Sequence, residues 1–356
     1  MSPSPPIPKA ALYYYKPSIW ASVPLLALEE KGYGPDEVDL KEVDLSKGEN
    51  FKPQYLRLNP NATVPTLVVP LENTLSSEIE SRYKAIQNTK AIVELLDKSR
   101  SSRSHTHTTS SAPAPALTPA TIAFSAASNK IIDILHSDNA DPNALVYVNA
   151  RDDASLKELA KEVLPKVIAK RKTLEELIEG NETSQVPVSE KTLKFWELKM
   201  YAMDGILAVF KDADTPMDQL SAEAKKIREE YYNAANNAWS TLKNVLLQVH
   251  KEIIGPYTLG DQLSIADLHL AAWLARIAKL SGANAAEDGN TVTRKIEAHI
   301  GGFKLPKDFS VTEARRRAGL PTADIQSTER QNRFAAFWDA MKERPSWKKV
   351  YSDGLH

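Results

Sequence analysis

The pattern of apolar and polar positions divides the chain into a mixed first part and a helical second part. Short apolar runs typical of strands occur at 12–15, 38–45, 64–69 and 83–87. A helical period starts shortly after Ser18 and ends at Gly32, and a second helix is predicted at 88–97. The predicted order is strand–helix–strand, followed by strand–strand–helix.

Beyond residue 119 almost every segment carries a helical period, with breaks that include 282–325. The strong helix candidates are 119–136, 153–179, 189–211, 219–254, 264–280 and 328–343. Ser264 and Asp267 are spaced as a capping box, and a nearly continuous apolar run follows them. We therefore expect a buried, firmly nucleated helix at this point.

Residues 99–119 differ from both parts, because Ser, Thr, Pro and Ala dominate and no apolar period appears. Such a composition is typical of a flexible linker or loop. His105 and His107 lie inside it with no further ligand nearby, so we interpret them as solvated residues and predict no metal site.

The length and the charge of the chain limit the classes of function that it could have. A chain of 356 residues is long enough for two domains with insertions. Lys and Arg total 45 against 46 Asp and Glu, for a formal net charge of -1. A near-neutral balance without a long basic stripe argues against nucleic acid as the partner.

The cysteine count is 0, which excludes disulfides, thiolate zinc sites and cysteine nucleophiles. No apolar run approaches the length of a membrane span, so no membrane partner is expected. The proline-rich start lacks the apolar core of a secretory signal. A cytoplasmic location is the resulting expectation.

Val64-Pro65 stands directly before an apolar strand. Proline removes a hydrogen-bond donor there, which indicates either a sheet edge or a cis turn. A cis bond would leave the backbone N–H and C=O of Val64 facing outward, where an extended peptide-like ligand could pair with them. An ordinary proline turn explains the same two residues equally well.

Together these segments resemble the cytosolic glutathione transferase superfamily. The resemblance rests on three motifs: Leu25–Gly32, the turn Asn59-Pro60…Val64-Pro65, and Ser264-Ile265-Ala266-Asp267. It covers residues 11–98 and about 190–280. The excess length relative to the usual member is similar to insertions in some fungal branches.

The resemblance implies an α/β thioredoxin-like N-terminal domain followed by an all-α C-terminal domain. The implied boundaries are 11–98 for the glutathione-binding domain, 99–119 for the linker and 120–350 for the helical domain. Insertions are expected at about 138–190 and 281–325.

The resemblance also implies a role for Ser18. Serine-type members place a hydroxyl between the first strand and the first helix, where it donates a hydrogen bond to the glutathione sulfur. Ser18 occupies that position, with Tyr14 and Tyr15 as rival hydroxyls at the end of the strand. A plain N-cap role for Ser18 is the alternative.

Other glutathione-binding positions are transferred by the same resemblance. Asn50 and Lys52 correspond to contacts with the glycyl carboxylate, and Val64, before Pro65, to backbone pairing with the cysteinyl segment. Thr89 suits the γ-glutamyl carboxylate at a helix N-terminus. Asn88 departs from the family pattern, because it lacks the usual negative charge.

The implied function is a glutathione transferase, in which bound glutathione thiolate attacks a small apolar electrophile. Conjugation, isomerisation, ether cleavage and peroxide reduction all need only the bound thiol. The pocket candidates, chosen by position and type, are Phe124, Trp196, Met200 and Tyr201. A homodimer is implied, and a non-catalytic binding or regulatory protein with the same fold is the alternative.

Overall fold

The computed structural model describes residues 9–70, 83–101, 110–183, 185, 187–322 and 330–356. The strands are β1 (Ala10–Tyr14), β2 (Val38–Glu42), β3 (Thr66–Pro70) and β4 (Tyr83–Ile86). The helices of the first part are α1 (Ile19–Glu30), α2 (Pro53–Leu56) and α3 (Thr89–Ser99). Those that follow are α4 (Ile122–Leu135), α5 (Pro142–Tyr147), α6 (Asp153–Glu182), α7 (Glu190–Phe210), α8 (Ala222–Glu252), α9 (Ile265–Leu280), α10 (Gly289–Ile300), α11 (Val311–Arg317), α12 (Arg333–Lys342) and α13 (Pro345–Val350).

The four strands form one sheet in the order β2-β1-β3-β4. β3 runs antiparallel to both of its neighbours, with Leu67 opposite Leu12 of β1 and Ile86 of β4. Leu12 and Leu67 are buried, and α1 and α3 pack against each other. The predicted thioredoxin-like order of strands and helices is confirmed, and the short α2 is an addition to it.

α9 is the most deeply buried helix of the second part. The carboxylate of Asp267 accepts hydrogen bonds from the backbone N–H groups of Ser264 at 2.7 Å and Thr258 at 2.6 Å. The indole N–H of Trp273 donates to the carbonyl of Ala140 at 2.7 Å. α9 packs against α1, α4 and α10, which confirms the buried, well-nucleated helix predicted from the capping box.

The predicted break at 282–325 is wrong in part, because it contains α10 and α11. Asp288 caps α10 by accepting a hydrogen bond from the N–H of Thr291. A Cβ at Gly289 would lie 2.1 Å from the carbonyl oxygen of Ala335, so glycine allows close approach to α12. The helix buries two large apolar side chains, Val292 and Ile296, which lie one helical turn apart.

The chain divides into two compact units, whose limits differ from the predicted domain boundaries. Unit 1 comprises Met1–Lys41, Val64–Pro142 and Thr241–His356, and unit 2 comprises Glu42–Thr63 and Asn143–Ser240. Unit 2 has its own apolar core, built on the α6–α7 hairpin. From residue 143 onward, the described residues of the predicted insertion at 138–190 lie in this packed unit.

The described second half of the predicted linker makes packed, hydrogen-bonded contacts. Leu117 is 2% exposed, and its N–H donates to the Asp97 carboxylate at 2.9 Å. The Lys31 ammonium donates to the carbonyl of Pro115 at 2.7 Å. Residues 110–119 thus pack within unit 1, whereas 102–109, with His105 and His107, lie outside the described residues.

Candidate functional site

Ser18 lies at the junction of β1 and α1. Its N–H donates to the carbonyl of Tyr15 at 2.8 Å, which closes the turn, and its own carbonyl accepts the N–H groups of Ala21 and Ser22. Ser18 is thus the N-cap residue by its backbone, but its hydroxyl makes no capping hydrogen bond to the described helix. A half-buried hydroxyl therefore lies at the positive end of a 12-residue helix.

The rival hydroxyls occupy different positions. Tyr14 is the last residue of β1, and it has an interaction partner elsewhere in the protein. Tyr15 follows the strand and supplies the carbonyl that accepts the Ser18 N–H. Both side chains are half-buried. Ser18 is the one of the three hydroxyls that lies at the start of α1.

The Val64-Pro65 peptide bond is cis, as one of the two sequence interpretations predicted. Val64 is buried, and β3 begins at the next residue after Pro65. The pair stands at the start of a strand that lies second from the sheet edge.

Asn88 and Thr89 begin α3. The side-chain oxygen of Asn88 accepts the N–H of Ala91 at 2.9 Å, so Asn88 caps the helix. Thr89 is the first helical residue and is buried, while Asn88 is exposed. Asn88 also borders an open groove of about 560 Å³ along β4 and α3. The amide oxygen of Asn88 is therefore already used by its own helix.

Asn50 and Lys52 belong to unit 2. The Asn50 side-chain N–H donates to the carbonyl of Ala62 at 2.7 Å, and its buried oxygen has no partner among the described residues. Lys52 is half exposed, lies 3.7 Å from Glu49, and borders an open groove of about 420 Å³. Asn50 thus anchors a loop, and Lys52 offers an accessible cation.

The four pocket candidates lie in different environments. Trp196 is fully buried in the unit 2 core, where its indole N–H donates to the carbonyl of Phe51 at 2.9 Å. Met200 is half-buried beside the same core, whereas Tyr201 is 79% exposed. Phe124 is a half-buried residue of α4 in unit 1. The indole of Trp196 contributes to the helical core, and its role as a pocket residue stays a prediction.

Two contacts behind the Ser18 turn were missed in the sequence. The guanidinium of Arg276 donates to the carbonyl of Pro17 at 2.7 Å. Trp20, the second residue of α1, stacks on the His136 ring, which in turn contacts His269. His269 stands out in the sequence as a polar residue in a mostly apolar run. Its partners could not be inferred, because they lie more than 100 residues away in the sequence.

The described residues contain neither a membrane-spanning helix nor a cluster of metal-binding side chains. Of the helices described there, none combines the length and apolar character needed to cross a bilayer. Among those same residues, no three His, Asp or Glu side chains come together in a way that suits a metal ion.

Residues 17–99 match the family described as "Glutathione S-transferase, N-terminal domain". The matched segment begins just before Ser18 and ends with α3, so it includes the turn, the cis-proline and the Asn88-Thr89 pair. Over this segment the chain is similar to glutathione S-transferase N-terminal domains. The superfamily resemblance stated for 11–98 is confirmed on these residues, which make up less than half of the chain.

A curated relative supports the same assignment. The tetrachloro-p-hydroquinone reductive dehalogenase of Sphingobium chlorophenolicum is 47% identical over 64 residues. The aligned part is 18% of this chain and 25% of that protein. The chain therefore spans about a quarter of the length of the relative that it matches.

Solved structures of glutathione transferases are similar at low identity. Glutathione transferase Omega 3C from Trametes versicolor is 16% identical with a TM-score of 0.46, covering 99% of this chain and 88% of that one. Beta-etherase LigF from Sphingobium sp. strain SYK-6 is 16% identical with a TM-score of 0.47, covering 97% and 100%.

Proposed function

We propose that the protein is a glutathione transferase in which Ser18 stabilises the thiolate of bound glutathione for attack on a small apolar electrophile. The observation that carries this proposal is the Ser18 hydroxyl, which occupies the N-cap position of α1 without capping the described helix. It stands in a segment that is similar to glutathione S-transferase N-terminal domains.

The chemistry follows from the charge that develops on sulfur. A free thiol has a pKa near 8.5, so most of it is protonated at neutral pH. A hydrogen bond from Ser18 and the positive end of α1 both favour the thiolate over the thiol. The ligand then supplies the nucleophile, which suits a chain that has no cysteine.

Other residues of unit 1 would hold the γ-glutamyl and cysteinyl parts of glutathione. Thr89 offers a backbone N–H and a hydroxyl at the start of α3, which suit the γ-glutamyl carboxylate. Val64, next to Pro65, would pair through its backbone with the cysteinyl segment. Asn88, beside Thr89, brings an amide in place of the usual carboxylate.

Asn50 and Lys52 carry a separate part of the proposal. Lys52 has a solvent-accessible ammonium, a suitable counter-charge for the glycyl carboxylate. The expected result for Lys52→Gln is weaker glutathione binding with an unchanged thiolate pKa. A lower affinity that depends on ionic strength supports the contact, and an unchanged affinity excludes it.

The electrophile class is the least constrained part. The relative's name points to a chlorinated aromatic, and such a ring is an apolar electrophile with a leaving group. Displacement by the thiolate forms a carbon–sulfur bond and releases chloride. A reductive outcome needs a second thiol to take the sulfur away, and a chain without cysteine would need a second glutathione for it.

Calorimetric titration with glutathione, followed by a conjugation assay with an activated chloroaromatic, tests the proposal. We expect saturable binding at millimolar concentration or below and release of chloride that depends on glutathione. Absence of binding at millimolar glutathione would contradict it. Measurement of the molecular mass in solution, in the same buffer, tests the homodimer that the resemblance implies.

Binding without turnover favours the non-catalytic alternative. One observation supports that alternative, namely that the Asn88 oxygen is engaged in capping α3 and carries no charge for the ligand ammonium. Retention on immobilised glutathione with no chloride release from any chloroaromatic tested would select it.

A further inference from the structure

A chain of three rings lies behind the turn that carries Ser18. The rings of Trp20 and His136 are stacked, with centroids 3.8 Å apart and planes inclined by 21°. Nε2 of His136 lies 2.8 Å from Nδ1 of His269. Trp20 comes from α1, His136 is the C-cap residue of α4, and His269 lies in the second turn of α9, all within unit 1.

The three rings differ in how deeply they are buried. His136 is exposed, Trp20 is half-buried, and His269 is completely buried. A surface imidazole would ordinarily sample several rotamers. The hydrogen bond to a buried, immobile partner holds the His136 ring in the orientation that covers Trp20.

The tautomers follow from hydrogen-bond accounting. One of the two facing nitrogens must donate and the other must accept. Nε2 of His269 has no partner in the part of the chain that the structure describes. A buried N–H without an acceptor is costlier than a bare lone pair. We therefore assign the His269 proton to Nδ1, which donates to Nε2 of His136.

Desolvation is the main reason that both rings stay neutral. Desolvation lowers the pKa of His136 to about 4, with Lys90 lowering it further and Asp133 opposing both. Desolvation, His136 and Lys90 hold the pKa of His269 well below 6.5. The hydrogen-bonded, stacked arrangement thus persists through neutral pH.

A second contact from α9 holds the same turn. Arg276 lies seven residues beyond His269, about two helical turns, and its guanidinium donates to the carbonyl of Pro17. α9 therefore fixes the segment on both sides of Ser18, at Pro17 directly and at Trp20 through His136. The position of the Ser18 hydroxyl therefore depends on the backbone of this segment, because the hydroxyl makes no capping hydrogen bond.

We propose that His136 is a positioning residue for Ser18: its ring, oriented by His269, packs on Trp20 and sets the first turn of α1 so that the Ser18 hydroxyl points at the ligand sulfur. This inference rests on the proposed function. It assigns His136 no contact with glutathione.

The test is a double-mutant cycle read out as the thiolate pKa of bound glutathione. His136→Ala is expected to raise that pKa by roughly 0.5–1 unit and to lower the rate of conjugation about two- to tenfold. In a Ser18→Ala background the same substitution should change neither quantity, because the effect passes through the Ser18 hydroxyl.

Two further variants separate positioning from general stability. His136→Phe keeps a flat ring on Trp20 but leaves His269 without its acceptor, so it should lower the melting temperature and retain the wild-type thiolate pKa. Asn129→Ala, an exposed change on α4, is the matched control and should alter neither.

The outcomes distinguish the two proposals. An equal pKa rise from His136→Ala with and without Ser18, or no rise at all, overturns the positioning role alone. Failure of wild type to bind glutathione, or an unchanged thiolate pKa in Ser18→Ala, overturns the proposed mechanism and this inference together. If His136→Ala does not fold, Trp20→Leu and Trp20→Phe make the same comparison from α1. We expect Trp20→Leu to raise the thiolate pKa of bound glutathione and Trp20→Phe to leave it unchanged.

Discussion

The ammonium of Lys31 lies 2.9 Å from the carboxylate of Asp97, with 1% and 5% of the two side chains exposed. Asp97 also accepts hydrogen bonds from the backbone N–H groups of Leu117 and Thr118 and from the Thr118 hydroxyl. Burial raises the pKa of Asp97, but the hydrogen bonds from Thr118 and Lys31 outweigh it and lower the pKa overall. The end of α1, the end of α3 and the segment 110–119 are therefore joined at one buried charge pair.

Breaking this pair should destabilise the protein strongly. Lys31→Met leaves the Asp97 carboxylate buried without its counter-charge, which typically costs about 3–5 kcal/mol. Denaturant unfolding of the two proteins measures the difference. Lys161→Met, which removes an exposed pair with Glu158, is the matched control and should cost at most about 1 kcal/mol. Similar small losses in both variants would contradict the structural role of the buried pair.

Replacing residues 111–118 by glycine and serine should lower the melting temperature markedly. The replacement removes the buried Leu117 side chain and the Thr118 hydroxyl, and it loosens the backbone that donates to Asp97. Differential scanning calorimetry measures the change. The same replacement of 102–109 is the comparison, for which composition alone predicts little effect. A wild-type melting temperature for the 111–118 variant would show that this segment contributes no stability.

Ser18→Ala should raise the pKa of bound glutathione without unfolding the protein. Loss of a hydrogen bond to a charged acceptor costs about 1.5–3 kcal/mol, which corresponds to roughly one to two pKa units. Titration of the thiolate absorbance in the complex measures it. Tyr15→Phe removes the neighbouring rival hydroxyl and should leave the pKa unchanged. A rise with Tyr15→Phe and none with Ser18→Ala would move the thiolate contact to Tyr15.

Asn88→Asp should stabilise α3 and tighten glutathione binding. Aspartate keeps the cap on the Ala91 N–H and adds a negative charge at the helix N-terminus, worth about 0.3–1 kcal/mol. A carboxylate would also face the γ-glutamyl ammonium. Asn88→Ala, as the control, loses the cap and should cost about 1 kcal/mol. Higher stability with weaker binding would mean that position 88 faces the ligand carboxylate instead.

Acid should destabilise the fold partly through His269. Burial holds its pKa in the folded protein well below the unfolded value of about 6.5. The stability from this neutral ring is therefore complete above pH 6.5 and is lost as the pH falls toward the folded pKa. One proton changes the free energy of unfolding by at most about 1.4 kcal/mol per pH unit. Urea unfolding between pH 7 and pH 5 should show a shallower slope for His269→Gln than for wild type.

Local patterns were sufficient for the first part of the fold. Alternation and apolar runs predicted the four strands and the helices α1 and α3, because each element buries a face defined by its own period. The Ser264–Asp267 spacing likewise predicted the start of α9, since a capping box involves residues three apart. The position of Ser18 at the first helix follows from the same short-range signals.

Tertiary structure decided what short-range signals leave open. Trp196 and Tyr201 lie on the same predicted helix, and only packing showed that one is core and the other is exposed. The segment 110–119 has a linker composition, yet its N–H groups meet a buried carboxylate on α3. His136 and His269 are 133 residues apart, and their contact arises only when α4 and α9 pack. A sequence determines which faces are apolar, but the partner of each face depends on the free energy of the whole packed chain.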